Sequence, residues 1–187
     1  SISGPAYQTP ENFTLGSVGG YFTYDEILGH LDNMQNLYPD LISLKTPIND
    51  SLTHDGNPLY WVKISDNPEI DEDGEPEMLY TALHHAREPG SVSQLIFYMY
   101  YLLENYGSSS QITSIINNAE LYFVPIINPD GYLHNEYTDP SGGGMWRKNR
   151  RNNNDGSYGV DLNRNYSFHW AEDDFGSSPN TSTQTYR

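Results

Sequence analysis

Apolar positions along this chain change period several times, and each change predicts an element. Ile27, Leu28, Leu31, Met34 and Leu37 recur at helical spacing. Thr23 and Glu26 precede them as a capping box, and Tyr38-Pro39-Asp40 closes the segment. Leu41–Leu44 and Leu59–Ile64 read as short strands separated by a polar turn, and Met78–Leu83 reads as a short buried strand. A second helix is expected to begin between Glu88 and Ser91, with Pro89 in its first turn and Ser91 and Gln94 as a capping box. Its buried stripe is Val92, Leu95, Ile96, Met99, Leu102 and Leu103. A short helix near Gln111–Asn117 and a strand at Leu121–Ile127 follow. Beyond Asn128-Pro129-Asp130-Gly131 the chain is rich in Gly, Asn and Ser and few segments are periodic.

Strands alternating with helices predict an α/β fold, a sheet flanked by helices. Residues 1–20 read as an irregular arm and 21–187 as part of a single domain. The histidines at 84 and 85 fall where a strand gives way to a helix. Open α/β sheets bind their ligands at the carboxyl ends of strands.

Charge narrows the partners. With 25 acidic and 9 basic residues, the chain is a poor match for nucleic acid, which demands clustered cations. Arg147, Lys148, Arg150 and Arg151 are nevertheless crowded together and suggest a local anion site. No cysteine is present, which excludes disulfides, thiolate metal sites and cysteine nucleophiles. The apolar run Leu95–Leu103 is too short to span a bilayer. Few lysines with many acids, tyrosines and asparagines lean toward an extracellular, secreted protein.

Three motifs carry candidate chemistry. His85-Ala86-Arg87-Glu88 places an imidazole and a carboxylate three positions apart, a normal partial ligand set for zinc. By itself this spacing also describes a hydrogen-bonded histidine and a carboxylate at a helix N-terminus. His84 reads as a structural or supporting residue. Arg147, in Trp146-Arg147-Lys148-Asn149-Arg150, could stabilise an oxyanion beside a metal-bound water. Asn163 and Arg164, in Asp161-Leu162-Asn163-Arg164-Asn165-Tyr166, could grip a carboxylate.

Together with Leu79–Glu88 and Val160–Tyr166, these segments resemble the zinc metallocarboxypeptidases of the carboxypeptidase A type, most closely the bacterial carboxypeptidase T branch. The resemblance runs from about Tyr21 to Arg187. It implies a mixed β-sheet flanked by helices and hydrolysis of the C-terminal peptide bond of peptides or proteins. His85 and Glu88 would be zinc ligands and Arg147 the oxyanion stabiliser. Asn163 and Arg164 would hold the terminal carboxylate, and Arg87 would line the subsite through which substrate enters. The family's third zinc ligand, general-base glutamate and mobile tyrosine would lie past Arg187. The chain is therefore expected to be the N-terminal part of a catalytic domain, incomplete at its C-terminus. Its first partner would be the missing C-terminal half, and alone it would be inactive.

Asp71, Glu72, Asp73, Glu75 and Glu77 crowd one loop around Gly74 and Pro76. Hard oxygen ligands at this density suit calcium. Carboxypeptidase T-like proteins carry structural calcium in this region, which makes Asp71, Glu72, Glu75, Glu77 and Glu120 calcium candidates, with a solvated acidic turn as the alternative. Two other functions fit parts of the pattern. One is a related zinc amidohydrolase acting on acyl-amino acids or cell-wall peptides. The other is a non-catalytic, calcium-stabilised extracellular binding module, although such a module has no use for all five of His85, Glu88, Arg147, Asn163 and Arg164.

Overall fold

The computed structural model describes residues 8–187. The expected arm thus lies partly outside the described residues; residues 8–20 are turns with isolated bridges such as Gly16–Gly20. Helix α1 spans Tyr24–Leu37 and carries the expected capping box: Thr23 Oγ1 accepts from the Glu26 amide and Glu26 accepts from the Thr23 amide. Ile27, Leu31 and Met34 bury its apolar stripe.

Four strands form one mixed sheet: β1 (Thr46–Pro47), β2 (Tyr60–Ile64), β3 (Glu77–Thr81) and β4 (Glu120–Val124). Their order is β1-β2-β4-β3, antiparallel except for the parallel β3–β4 pair. Between β3 and β4 run helices α2 (Gly90–Asn105) and α3 (Ser110–Ile116), the long connection that parallel neighbours require. Val62, Ile64, Leu121 and Phe123 alternate onto one face and join Ile27, Leu31, Met34, Ile96, Met99 and Tyr100 in the core. Tyr80 stacks on Phe123 with ring centroids 5.0 Å apart.

The opposite sheet face holds a buried ion pair. Lys63 and Tyr122 are register partners, and Glu120 lies two residues back along β4. Lys63 Nζ meets Glu120 Oε1 at 2.5 Å, with both side chains at most 3% exposed. Tyr122 Oη and the Glu72 amide also donate to that carboxylate.

Several expected elements differ. Leu41–Leu44 is not a strand: only Ile42 bridges Ile64, and Leu44 is exposed. β3 is not buried, because it lies at the edge of the sheet among the described residues and Met78 and Leu79 are exposed. No Ser91–Gln94 box caps α2. Pro89 occupies the N-cap, and Ser91 Oγ instead accepts from the Leu83 amide and donates to the Glu88 carbonyl. Helix α4 (Pro129–Thr138) occupies sequence that lacks apolar periodicity; its buried face is Pro129, Asp130, Gly131, Tyr132 and Asn135. Asn128 caps it by accepting from the Gly131 amide.

On α4, Glu136 accepts from the Tyr24 amide at 2.5 Å. Burial raises its carboxyl above the usual value; the Tyr24 hydrogen bond opposes this, and Asp25 and Glu26 add to it. An acid raised in the folded state binds more protons there than when unfolded, so its contribution to stability falls as pH rises through the folded value. Glu136→Gln keeps an acceptor for Tyr24 and removes the charge. We expect it to melt above wild type at pH 7, with the difference vanishing near pH 4. A difference independent of pH across a thermal-denaturation series would contradict this.

Candidate active site

β3 delivers the chain to the site through a strained turn. Leu83, buried in the core, has φ of 52°, a left-handed conformation unusual for a bulky residue. Ser91 Oγ secures its amide at 3.1 Å. The turn aims His84 and His85 differently. His84 Nε2 meets Tyr166 Oη at 2.6 Å, and burial followed by the neighbouring His85 holds its imidazole below the ordinary value. His85 turns inward and is 7% exposed.

Both nitrogens of His85 face carboxylates. Nδ1 lies 3.0 Å from Glu88 Oε2, and Nε2 lies 3.0 Å from Asp161 Oδ1. Asp161 is fully buried, and its other oxygen accepts from Arg147 Nε at 3.2 Å and Arg147 Nη2 at 2.9 Å. Arg147 Nη1 approaches Glu88 Oε1 at 3.6 Å. One closed ring of four side chains therefore joins residues from three separate segments.

This ring fits a zinc ion. An Nε2–H donated to Asp161 leaves a neutral imidazole with its lone pair at Nδ1, the carboxylate–histidine arrangement that fixes a metal ligand's tautomer. Lone pairs on Nδ1 and Glu88 Oε2 then face each other at 3.0 Å. They repel unless a proton or cation lies between them, and two atoms so spaced can both reach an ion at about 2.1 Å.

Helix α4 and its cap assemble the segments. Asn128 Nδ2 donates to the His84 and Arg147 carbonyls. The Ala86 amide donates to the Arg147 carbonyl at 3.1 Å. Gly131 allows the close approach, since a Cβ there would lie 2.6 Å from the Lys148 carbonyl oxygen and 2.9 Å from Ala86 Cβ.

The other predicted residues lie around this ring. Asn163 and Arg164 sit on a 3₁₀ turn (Leu162–Arg164) that begins at Asp161, whose Oδ1 accepts from the Asn163 amide. Arg164 donates to the Gly176 and Asn163 carbonyls. Arg87 lines a cleft of ≈ 550 Å³ between residues 18–23, α4 and Met145, whose carbonyl it reaches at 3.5 Å. The crowded cations do not make one anion site. Lys148 is buried and donates to the Thr181 carbonyl, and Arg150 lies over Trp146 and Tyr158. Only Arg147 of the four joins the ring.

The acidic loop separates into two groups, Asp66–Glu72–Glu75 and Asp71–Glu77–Glu120, each with ligand oxygens within 4.8 Å of one another. Asp66 was not among the expected candidates. Glu120 is already matched to Lys63. Burial and then the Glu72 and Asp66 charges raise the Glu75 carboxyl.

Asp161 is the main residue the motif reading left without a role. Its signal is only that it is an acid in a segment bordered by cations; no spacing rule links it to His85, 76 positions away.

The chain belongs to the zinc carboxypeptidase family, whose family model matches residues 27–187. It is 32% identical over 153 residues to a zinc carboxypeptidase of Saccharothrix mutabilis subsp. capreolus, covering 81% of this chain and 33% of that protein. It is 33% identical over 167 residues to mouse mast cell carboxypeptidase A, covering 88% of this chain and 36% of that protein. The fold matches the crystal structure of carboxypeptidase A from Helicoverpa armigera with a TM-score of 0.71 at 25% identity, over 91% of this chain and 39% of that one. The chain thus spans about a third of the length of these relatives. Bacterial, fungal and animal carboxypeptidases all match, and the carboxypeptidase T branch is not singled out.

Proposed function

We propose that the protein containing this chain is a zinc-dependent carboxypeptidase that removes the C-terminal residue of peptides or proteins. The observation that carries this reading is the closed ring of His85, Glu88, Arg147 and Asp161. His85 and Glu88 would hold the ion, and Asp161 would keep the His85 lone pair aimed at it. Zinc at such a site supplies an activated water and polarises the scissile carbonyl. Arg147, whose Nη1 lies 3.6 Å from Glu88 Oε1, would donate to the oxygen that gains charge. The Asn163 amide and Arg164 guanidinium would donate to the substrate's terminal carboxylate, restricting cleavage to the chain end. Arg87 would contact residues further upstream. The third ligand and the general base would come from sequence outside this chain.

We also infer that the acidic loop binds calcium, chiefly at Asp66, Glu72 and Glu75, where Glu72 Oε2 and Glu75 Oε2 are buried without a hydrogen-bond partner. Among the described residues no helix is long and apolar enough to cross a membrane. An extracellular location fits the few lysines and the many acids, tyrosines and asparagines.

The reading is tested with the complete protein and paired peptides that end in a free carboxylate or an amide. We expect chelator-sensitive release from the acid and turnover of the amide lowered by roughly 10- to 100-fold, the worth of one charge-assisted clamp. Equal cleavage of both peptides would overturn the clamp, and cleavage indifferent to chelator would overturn the zinc reading.

A further inference from the structure

We propose that Asn135 is a positioning residue that locks Arg147 to the His85–Glu88 turn, so that oxyanion stabiliser and ion position keep a fixed separation. This rests on the carboxypeptidase reading and assigns a role to a residue outside the three motifs.

Asn135 lies on the buried face of α4 and is 7% exposed. Among the described residues its side chain hydrogen-bonds to the two segments of the ring that must face each other. Nδ2 donates to the Ala86 carbonyl at 3.1 Å and to the Trp146 carbonyl at 3.0 Å. Oδ1 accepts from the Trp146 amide at 2.8 Å. Ala86 follows His85 directly, and Trp146 directly precedes Arg147. A single primary amide therefore bridges the backbones beside a candidate ligand and beside the guanidinium. Both Nδ2 protons and the carbonyl are engaged, a use that neither aspartate nor leucine can replace.

The surroundings are shaped to admit this side chain. Gly144 packs so closely that a Cβ there would lie 2.6 Å from Asn135 Cβ and Oδ1. The direct bond from the Ala86 amide to the Arg147 carbonyl gives the turn one further tether to the arginine segment, and the Asn128 amide gives another. Neither fixes the Trp146 peptide. Without Asn135 its N–H and C=O would both lose these partners, and Arg147 would pivot on its pair with Asp161. A displacement of about 1 Å between reacting groups costs on the order of 100-fold in rate.

The experiment is a double-mutant cycle in the complete, zinc-loaded protein, with amide hydrogen exchange in the zinc-free form as a readout that needs no turnover. Asn135→Ala should lower kcat roughly 10- to 100-fold with KM within about twofold, and should have no further effect in an Arg147→Ala background. Asn135→Asp keeps the acceptor for Trp146 and loses both donors; it serves as the second variant if the alanine protein folds poorly. In the zinc-free protein the Ala86 amide should exchange faster in either variant while the core amides of α2 do not change. A full kcat effect persisting in the Arg147→Ala background would overturn the proposal. So would unchanged exchange at Ala86. If the wild-type protein shows no turnover, the carboxypeptidase reading fails and exchange at Ala86 alone decides the role of Asn135.

Discussion

Asp161→Ala is expected to be among the most damaging single changes in this chain. The aspartate is fully buried and accepts from His85, from two nitrogens of Arg147 and from the Asn163 amide. Its removal leaves a mostly buried guanidinium, 12% exposed, without its main counter-charge. Breaking a buried pair by deleting one partner costs about 3–5 kcal/mol. Zinc affinity should fall roughly 10- to 100-fold as well, because His85 loses the acceptor that fixes its tautomer. Asp161→Asn retains an oxygen for His85 and should recover part of both losses. Denaturant titration and competition with a metal indicator on the complete protein read the two effects separately. A stability loss under about 1 kcal/mol with unchanged zinc affinity would show that Asp161 is a bystander.

Glu120→Ala should be comparably costly, by a different route. Deleting the carboxylate strands the Lys63 ammonium, 3% exposed, with only the Ile70 carbonyl as a hydrogen-bond acceptor. The expected cost is again about 3–5 kcal/mol, while a joint Lys63→Met, Glu120→Leu replacement should recover most of it. Burial acts to raise the Glu120 carboxyl, but the Lys63 hydrogen bond, the Glu72 amide and Tyr122 outweigh it and hold it below the usual range. A depressed acid contributes stability above its unfolded value, near 4.5, that is lost as pH falls through the folded value. The wild-type-minus-mutant difference should therefore shrink in acid. Calcium should raise the wild-type melting temperature by several degrees through the Asp66–Glu72–Glu75 group, by preferential binding to the folded state. Equal stability of wild type and Glu120→Ala would refute the ion-pair argument. A melting temperature indifferent to calcium would remove the calcium site.

Elements governed by local rules were legible in the sequence. The α1 capping box and the apolar stripes of α1 and α2 depend on neighbours three and four residues away, which sequence spacing encodes. The His85–Glu88 pair belongs to the same class: both groups lie on one turn, and their side chains meet at 3.0 Å. Helix α4 did not fit such a rule. Asp130 is anchored by Thr53, Asn57 and the Asp55 amide, and Asn135 by Ala86 and Trp146, so hydrogen bonds bury the polar part of a face on which Tyr132 joins the hydrophobic core. Ser91 illustrates competition between equally sensible local uses. Its hydroxyl could cap α2, but the Leu83 amide in the strained turn takes it instead. Asp161 marks the limit of spacing arguments, because its partners are brought to it by the sheet, α4 and the 3₁₀ turn together.

We propose that the His85–Glu88 turn, braced by Asp161 and Arg147, holds the zinc ion. This is tested most directly by the zinc content of the complete protein and its His85→Ala variant, measured by elemental mass spectrometry after dialysis against zinc-free buffer. Close to one zinc per wild-type chain and almost none in the variant is expected. Equal zinc in the two proteins, or none in either after zinc loading, would contradict it.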